Sequence, residues 1–350
     1  MSDFAKRLIR WQKQHGRHDL PWQGADAYRV WLSEIMLQQT QVATVIPYYL
    51  RFVGRFPDVA ALAAASEDDV LAHWSGLGYY SRARNLHRAA ELIMQQHGGE
   101  FPRHLDDILV LPGIGRSTAA AIGVFAFRQR QAILDGNVKR VLARYFAIKG
   151  FAGEKKIETM LWSKAESLLP VRNLVGYTQG LMDLGATVCT RSKPQCESCP
   201  VHMDCAAYRK GLVAQIPAPR PRKALPEKQA IFLLLMHGND ILLEKRPGSG
   251  IWGGMWCLPQ LDGLPEENDN HIQGYGLDTV KVISLPAFAH TFTHFRLYIT
   301  PLLWQVKRSP KGAQNPGKIW MNREEAIHAA IPAPVRKLLR QLNEIYNNKK

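Results

Sequence analysis

Apolar residues in the first part of the chain recur at the spacing of an α-helix. The segment 28–42 places five of them on one face, which predicts a buried helix side. These residues are Tyr28, Trp31, Leu32, Ile35 and Met36. Residues 154–188 are also predicted to be helical.

The pattern changes to that of β-strands after residue 228. Residues 231–236 and 241–244 flank the sequence His-Gly-Asn-Asp, which predicts a β-hairpin. Aromatic residues alternate through 288–303, and residues 333–346 predict a helix. This part of the chain is therefore expected to form an α+β domain.

A basic, proline-rich stretch separates the two patterns. It contains Pro217, Pro219, Pro221 and Pro226 and predicts a semi-extended linker. The expected domains are residues 1–208 and 228–350, joined by the linker 209–227.

A second stripe runs beside the apolar face of the 28–42 helix. Glu34, Leu37, Gln38 and Gln41 follow one another at helical spacing. A lone glutamate on a helix flank is usually solvated. However, the glutamine amides suit the edges of bases, and Leu37 suits the space left in a distorted duplex.

Residues 111–115 read Leu-Pro-Gly-Ile-Gly and directly precede a helix-forming segment. Gly113 and Gly115 permit positive φ and the close approach of another backbone, so the amides that open the helix can converge on a phosphate. An ordinary glycine turn between packed helices is the alternative.

Asp135 stands just before a basic, amphipathic helix. Such a residue is usually an N-cap. A carboxylate at a helix N-terminus is also expected to stay ionised, because the helix dipole favours its charge.

Composition narrows the choice of partners. The 350 residues suffice for two domains, and 45 Lys and Arg against 30 Asp and Glu give a net charge of +15. This charge favours a polyanionic partner, although basic proteins can also be merely soluble or bind acidic membranes. No apolar run is long enough to span a bilayer and no signal peptide is recognisable, so the expected location is the cytosol, with the DNA.

Two adjacent aromatic residues follow a glycine-rich turn. Tyr79 and Tyr80 precede a basic helix. They suit either a protein core or, in a DNA-binding protein, a stacking wedge.

Four cysteines lie within one short segment, with the spacing C-x6-C-x2-C-x5-C. They are Cys189, Cys196, Cys199 and Cys205. Their clustering favours a metal centre over disulfides, and zinc is the commonest occupant of four-thiolate sites. A zinc ribbon would usually pair two C-x2-C knuckles, whereas only one is present. Cys257 is expected to be a buried thiol.

These motifs together resemble a known family. The glycine hairpin followed by Asp135 resembles the helix–hairpin–helix DNA glycosylase superfamily, and residues 32–42, LSEIMLQQTQV, resemble the catalytic-acid helix of MutY-type adenine DNA glycosylases. The resemblance implies an N-terminal all-α helix–hairpin–helix glycosylase fold with an Fe–S cluster loop at 189–205, and a C-terminal α+β Nudix-like domain.

The resemblance also assigns roles to residues. It implies that Glu34 is the general acid, that Asp135 stabilises a sugar cation and that Asn137 supports Asp135. The cysteine spacing matches that of endonuclease III-like and MutY-like glycosylases, and so implies a structural 4Fe-4S cluster. The implied DNA-contacting and lesion-contacting residues of the first part are Leu37, Gln38, Tyr79, Gly113, Gly115 and Ser117.

Residues 252–260 resemble part of a Nudix fold, but the Glu-rich magnesium motif of Nudix hydrolases is missing; Glu266 and Glu267 stand in a polar segment without that arrangement. The domain is therefore expected to recognise a ligand rather than to hydrolyse pyrophosphate. In MutY-type proteins a Phe-Ser-His loop recognises 8-oxoguanine. The matching residues are Phe292, Thr293 and His294, with Thr in place of Ser.

The expected function is monofunctional removal of adenine from double-stranded DNA with 8-oxoguanine:adenine or guanine:adenine mispairs, by a monomer. One alternative is a bifunctional endonuclease III-like glycosylase/lyase. That class has a lysine where this chain has Ser117, although Lys139 is an amine close to Asp135 in sequence. The other alternative is a non-catalytic Fe–S protein that binds DNA.

Overall fold

A computed structural model describes residues 2–221, 224–261, 275, 277–308 and 317–347. The chain divides into two compact units. The first comprises Met1–Ala64 with Asn85–Arg222, and the second comprises Ala65–Arg84 with Lys223–Lys350. The domain limits expected at residues 208 and 228 stay a prediction. Glu266 and Glu267 lie outside the described residues.

The first unit is helical. Its helices are α1 (Asp3–His15), α2 (Ala27–Leu37), α3 (Val42–Arg55), α4 (Val59–Ala63), α7 (Leu105–Leu109), α8 (Arg116–Phe127), α9 (Gly136–Tyr145), α10 (Lys155–Leu168), α11 (Leu174–Asp183) and α12 (Ala206–Arg209). Helix α5 (Glu67–Trp74) belongs to the second unit, and α6 (Ser81–His97) begins there and continues into the first. A π-helical turn, Leu184–Val188, extends α11.

Side-chain N-caps start several of these helices. Ser2, Asp26 and Asp58 each accept a hydrogen bond from the backbone amide three residues later. Each cap satisfies an amide that would otherwise lack a partner, which typically contributes about 1 kcal/mol. The caps therefore place the starts of α1, α2 and α4.

The predicted apolar face of α2 is confirmed, because all five of its residues are buried. The helix is shorter than the pattern indicated: it ends at Leu37, and Gln39 adopts a left-handed φ of 57°. Helix α3 starts at Val42, directly after this turn. The apolar spacing continued across the break because two helices follow each other closely.

The core of the first unit joins helices from distant parts of the sequence. Helix α1 packs against α11, and α2 packs against α8. Residues 212–218 of the expected linker also belong here: Ile216 is buried, and the Ala218 amide donates to the Gly150 carbonyl.

The second unit contains a mixed sheet. Its strands are β1 (Glu227–His237), β2 (Asp240–Lys245), β3 (Trp256–Cys257), β4 (Gln260–Leu261), β5 (Leu277–Ser284), β6 (Phe288–Thr291), β7 (Arg296–Arg308) and β8 (Lys318–Asn322). The order is β3-β2-β1-β7-β5, with β4 on β1, β6 on β7 and β8 on β2. Strands β1 and β7 are parallel and the other pairs are antiparallel.

Helices α13 (Arg323–Ala326) and α14 (Ala333–Asn347) complete the unit. The predicted hairpin is confirmed, since β1 and β2 pair with His237 opposite Asp240. The predicted C-terminal helix is confirmed as well. Within the described ranges, no helix is both long and apolar enough to cross a membrane.

The glycine turn joins α7 to α8 as a hairpin. Gly113 has a φ of +81°, whereas Gly115 is extended with a φ of −97°. Gly113 therefore uses the positive φ that glycine permits, whereas Gly115 does not and is the N-cap of α8. Both glycines are exposed and Ile114 between them is buried. The buried isoleucine anchors the turn while the glycine backbone faces outward.

Gly113→Ala is expected to lower the free energy of unfolding by about 2 kcal/mol, because a left-handed alanine is strained and its added methyl group is crowded. Its Cβ would also lie 3.0 Å from the Asn85 Cβ. Gly115→Ala is the matched control, since its Cβ would meet open space. It should cost only about 0.5–1 kcal/mol, for a poorer N-cap. Urea unfolding of both variants checks this, and equal losses would contradict it.

Candidate active site

A cavity of about 1180 Å³ lies within the first unit. Its walls include α2, the turn before α3, the starts of α8 and α9, and parts of α11 and of residues 17–24. Seven residues singled out from the sequence line it: Glu34, Leu37, Gln38, Gln41, Ser117, Asp135 and Asn137. Two carboxyl groups about one hundred residues apart in sequence therefore share one cavity.

Glu34 lies on α2, one position from the fully buried Ser33, and only part of its side chain is accessible, toward the cavity. Burial, and secondarily the charge of Asp135, raises its pKa to about 8. A carboxyl group surrounded by protein atoms loses hydration, which penalises the charged form. Glu34 therefore carries a proton at neutral pH.

Asp135 is the N-cap of α9. Its Oδ1 accepts from the Val138 amide at 2.8 Å, and its Oδ2 accepts from the Asn137 Nδ2 at 3.3 Å. Burial nevertheless raises the pKa of Asp135, against the opposing effects of these hydrogen bonds and of Arg140. The cap and the other donors therefore offset only part of the penalty that burial places on the charged form, and the ionised state expected from the sequence stays a prediction.

The two carboxyl groups still differ in a useful way. Asp135 has donors and a cation that favour its charged form, whereas the influences on Glu34 both favour the neutral form. When the pair shares one negative charge, Asp135 holds it and Glu34 keeps the proton.

Arg140 is a component of the site that the sequence did not reveal. It lines the cavity, and its Nη2 donates to the Asn137 Oδ1 at 2.7 Å and to the Gly185 carbonyl at 2.6 Å. Its Nε donates to the Cys189 carbonyl at 2.8 Å. Asp135, Asn137 and Arg140 thus form a hydrogen-bonded chain that reaches the cysteine segment.

Gly185 is required beside this chain. A Cβ there would lie 2.6 Å from the Asn137 Cβ and 3.0 Å from the Asn137 carbonyl oxygen. The glycine in the π-helical turn lets α9 and the end of α11 approach closely.

Arg144 binds the cysteine segment one helical turn after Arg140. It is buried, and its Nη1 lies 3.3 Å from the Cys189 sulfur and 2.7 Å from the Thr190 carbonyl. Its Nε donates to the Ile216 carbonyl at 2.7 Å. The sequence does show two arginines four positions apart on a basic helix, which places them on one helix face. This spacing does not reveal which segment the two side chains bind.

The four clustered cysteines line one small cavity of about 30 Å³. Among the described residues, no group of three or more His, Cys, Asp or Glu side chains is arranged to hold a single metal ion. Burial raises the pKa of the Cys199 thiol to about 12. The four thiols therefore border one common space.

The Gln38 side chain already has hydrogen-bonding partners within the protein. Its Nε2 lies 3.4 Å from the Gly113 carbonyl and 3.4 Å from the Thr118 Oγ1. It therefore connects the cavity wall to the glycine hairpin. Ser117, in the first turn of α8, accepts a hydrogen bond from the Leu134 amide at 3.0 Å.

A second polar group beside the cavity was also not predicted. Asp183 is fully buried and accepts from the Arg17 Nε at 2.7 Å and from the Gln179 Nε2 at 2.9 Å. Arg17 and Gln179 line the cavity. Isolated polar residues in helical and loop segments show no periodic pattern. The sequence therefore did not indicate that these three residues meet in the fold.

The other predicted contact residues belong to the second unit. Tyr79 is 41% exposed and has a left-handed φ of 50°. Gly78 before it has a φ of +77°, and its carbonyl accepts from the Trp74 Nε1 at 3.1 Å. Tyr79 is thus displayed at the surface by an anchored turn rather than packed in a core.

Phe292, Thr293 and His294 form the turn between β6 and β7. The Phe292 amide donates to the Phe295 carbonyl at 2.9 Å, and the two rings stack with centroids 4.4 Å apart. Thr293 and His294 are exposed at the tip. The aromatic alternation predicted one continuous strand here. Strand β6 instead ends at Thr291, because the chain reverses after it.

Comparison with known proteins connects these features. Residues 32–167 match the model of the HhH-GPD superfamily base excision DNA repair proteins, and residues 230–341 match the NUDIX domain model. The adenine DNA glycosylase of Buchnera aphidicola subsp. Acyrthosiphon pisum is 39% identical over 96% of this chain and 96% of its own length. The human adenine DNA glycosylase is 33% identical over 97% of this chain and 74% of its own length.

The chain belongs to the adenine DNA glycosylase family. This confirms the family resemblance and the two-part fold class inferred from the motifs.

Solved structures agree with this assignment for the glycosylase part. A thermostable thymine-DNA glycosylase aligns with a TM-score of 0.54 and 29% identity, over 59% of this chain and 95% of its own. An endonuclease III from a DNA complex aligns with a TM-score of 0.51 and 20% identity, which shows the shared fold alone. The cavity of this adenine glycosylase family member therefore lies in the part that it shares with other glycosylases.

The pKa of Glu34 predicts how stability depends on pH. Because the folded-state pKa of about 8 exceeds the ordinary value of 4.5, Glu34 destabilises the protein increasingly as pH rises from 4.5 to 8. The free energy of unfolding of Glu34→Gln, relative to that of wild type, should therefore rise as the pH rises from 4.5 to 8. The rise is at most about 1.4 kcal/mol per pH unit. The change in melting temperature between pH 5 and pH 9 measures this gain.

Glu91→Gln is the matched control, because Glu91 is exposed on α6. Its melting temperature should follow that of wild type at every pH. A constant difference between Glu34→Gln and wild type would contradict the assignment of a proton to Glu34.

Proposed function

We propose that this protein hydrolyses the bond between adenine and deoxyribose in double-stranded DNA, at adenines paired with 8-oxoguanine or guanine. The observation that carries the proposal is the shared cavity of Glu34 and Asp135, with the pKa of Glu34 raised to about 8. Two carboxyl groups with different proton affinities are what hydrolysis of a glycosidic bond requires.

Glu34 acts as the general acid. Adenine leaves more easily when its N7 is protonated, and a carboxyl group that is neutral near pH 7 can supply that proton. Adenine must first swing out of the helix, because a stacked base cannot reach two groups inside a cavity. The cavity of about 1180 Å³ has ample room for the extruded nucleotide.

Asp135 faces the positive charge that develops on the sugar as the bond breaks. Its hydrogen bonds from Val138 and Asn137 hold it at the edge of the cavity and favour its charged form. Arg140 orients Asn137 and is a positioning residue, because it acts on Asp135 through that amide. The same carboxylate can then accept a proton from the attacking water.

The proposed reaction is monofunctional. Ser117 has no amine and is engaged with the Leu134 amide. Lys139, the nearest amine in sequence to Asp135, has its Nζ 2.6 Å from the Glu158 Oε1. An ion-paired ammonium is a poor nucleophile for forming a Schiff base with the sugar.

DNA binding is distributed over both units. The exposed backbone of the Gly113–Gly115 hairpin suits a phosphate, Tyr79 suits insertion between bases, and the Phe292–His294 turn suits recognition of 8-oxoguanine. The net charge of +15 adds sequence-independent affinity for DNA. We place this activity in a monomer in the cytosol, at the nucleoid.

The four cysteines would hold a 4Fe-4S cluster. The donor set is four soft thiolates around one cavity, which suits this group. When bound, the cluster supplies a rigid cross-link rather than a reacting group, since base hydrolysis needs no redox step. Arg144, beside the Cys189 sulfur, and Arg140, on the Cys189 carbonyl, connect that segment to α9.

Glu34→Gln is expected to lower the single-turnover rate of adenine release by about 10²–10⁴-fold, because glutamine cannot donate the proton. The assay uses duplexes with adenine opposite 8-oxoguanine, guanine or thymine, and detects free adenine. Wild type should release adenine from the first two duplexes and spare the third. Glu91→Gln is the control and should retain the wild-type rate.

Retained adenine release by Glu34→Gln would contradict the role of this residue. Duplex binding without base release by wild type would favour a non-catalytic DNA-binding protein. Borohydride treatment during the reaction tests for the lyase alternative: efficient trapping of the enzyme on DNA would contradict the monofunctional proposal.

Cys199→Ala is expected to lose most of the iron, because the cluster needs four thiolate ligands. Wild type and Cys257→Ala should each contain roughly four irons per chain. Cys257 is the matched control because it is a buried thiol in the other unit. Iron analysis and visible absorbance measure the outcome. Zinc in place of iron in wild type would contradict the cluster.

A further inference from the structure

The Trp252 side chain supports the Phe292–His294 turn of the second unit. The indole is 7% exposed, and its ring centroid lies 5.4 Å from that of Phe292 and 6.0 Å from that of His290. On the strand side it lies 6.1 Å from Phe232 of β1. Trp252 therefore fills the space between the sheet and the base of the turn.

The backbone around Trp252 is held in an unusual shape. Trp252 itself has a left-handed φ of 55°, and Gly254 has a φ of +76°. Gly253 packs so closely that a Cβ would lie 2.7 Å from the Gly248 carbonyl oxygen. A large side chain in this region is strained, and such strain persists only where the surroundings fix it. Here hydrogen bonds from the Met255 amide to the Trp252 carbonyl and from the Gly254 amide to the Pro247 carbonyl do so.

The same loop is tied to the segment that carries Tyr79. The Arg84 guanidinium of α6 donates to the Gly253 carbonyl. Asp68 of α5 pairs with Lys245 and accepts from the Trp256 Nε1 at 3.2 Å. Residues on both sides of Tyr79 in sequence are thus bonded to the loop and its flanks.

One loop consequently contacts two elements with proposed roles in DNA. The Trp252 indole supports the proposed lesion-contacting turn. The Gly253 carbonyl, one residue later, accepts from Arg84 of α6, the helix that begins two residues after Tyr79. Movement of the loop would displace both elements together.

We propose that Trp252 is a positioning residue for discrimination of 8-oxoguanine from guanine opposite adenine. The indole is itself buried, so it acts by setting the place of Phe292. The inference rests on the proposed function and adds a residue without which the turn would recognise the lesion poorly.

The test compares single-turnover adenine release from duplexes with adenine opposite 8-oxoguanine and opposite guanine. Trp252→Leu should lower the ratio of the two rates by about fivefold, the effect of losing one or two aromatic contacts. The loss should fall on the 8-oxoguanine duplex, with the rate on the guanine duplex within about twofold of wild type. Trp252→Phe keeps a ring against Phe292 and should restore most of the ratio.

Trp320→Leu is the matched control. It makes the same substitution in the second unit, on β8, where the ring lies 6.4 Å from His237 and not against the turn. Its ratio should equal that of wild type. An unchanged ratio in Trp252→Leu, or an equal loss on both duplexes, would overturn the inference.

The outcomes also separate this inference from the proposed function. A wild-type protein that releases no adenine contradicts the proposed function itself. A wild type with no preference for 8-oxoguanine contradicts lesion recognition by the turn and the role of Trp252 with it. A wild type with a preference that Trp252→Leu retains contradicts the role of Trp252 alone.

Discussion

The hydrogen bonds at the start of α9 are the constraint on which the site depends. Asp135 caps the helix through the Val138 amide and is held from the side by Asn137, so its carboxyl group has one fixed direction. Further along the same helix, Arg140 and Arg144 bind the segment after α11. One rigid helix therefore relates a carboxyl group in the cavity to the cysteine segment.

The chemistry follows from an asymmetry in how the two carboxyl groups are surrounded. Burial raises the pKa of both, but only Asp135 has donors that oppose the effect. Glu34 lies on α2, well past the N-terminus of that helix, so no free helix amides oppose the effect of burial on its side chain. The proposed mechanism uses this difference, with Glu34 as the proton donor and Asp135 as the charged partner.

Much of the fold and part of the site could be predicted from the sequence. The features that could not be predicted share one physical reason. Local sequence patterns were enough to predict three elements: the buried face of α2, the β1–β2 hairpin and the C-terminal helix. The effect of burial on the pKa of Asp135 could not be predicted, since the sequence shows the cap but not the depth of burial. Arg140, Arg144 and the Asp183 group were missed, because each acts through partners that are distant in sequence.

Backbone strain marks a further class of residue that patterns do not reveal. Among the described residues, six other than glycine have left-handed φ values, and Gln39, Tyr79 and Trp252 are three of them. Gln39 follows a residue of the cavity wall, Tyr79 is the proposed wedge, and Trp252 supports the proposed lesion-contacting turn. A left-handed bulky residue costs about 1–2 kcal/mol, so its retention needs a compensating gain. For Tyr79 the gain is not full burial, because the residue is 41% exposed. The left-handed backbone thus holds a large aromatic side chain at the surface, as the proposed insertion between bases requires.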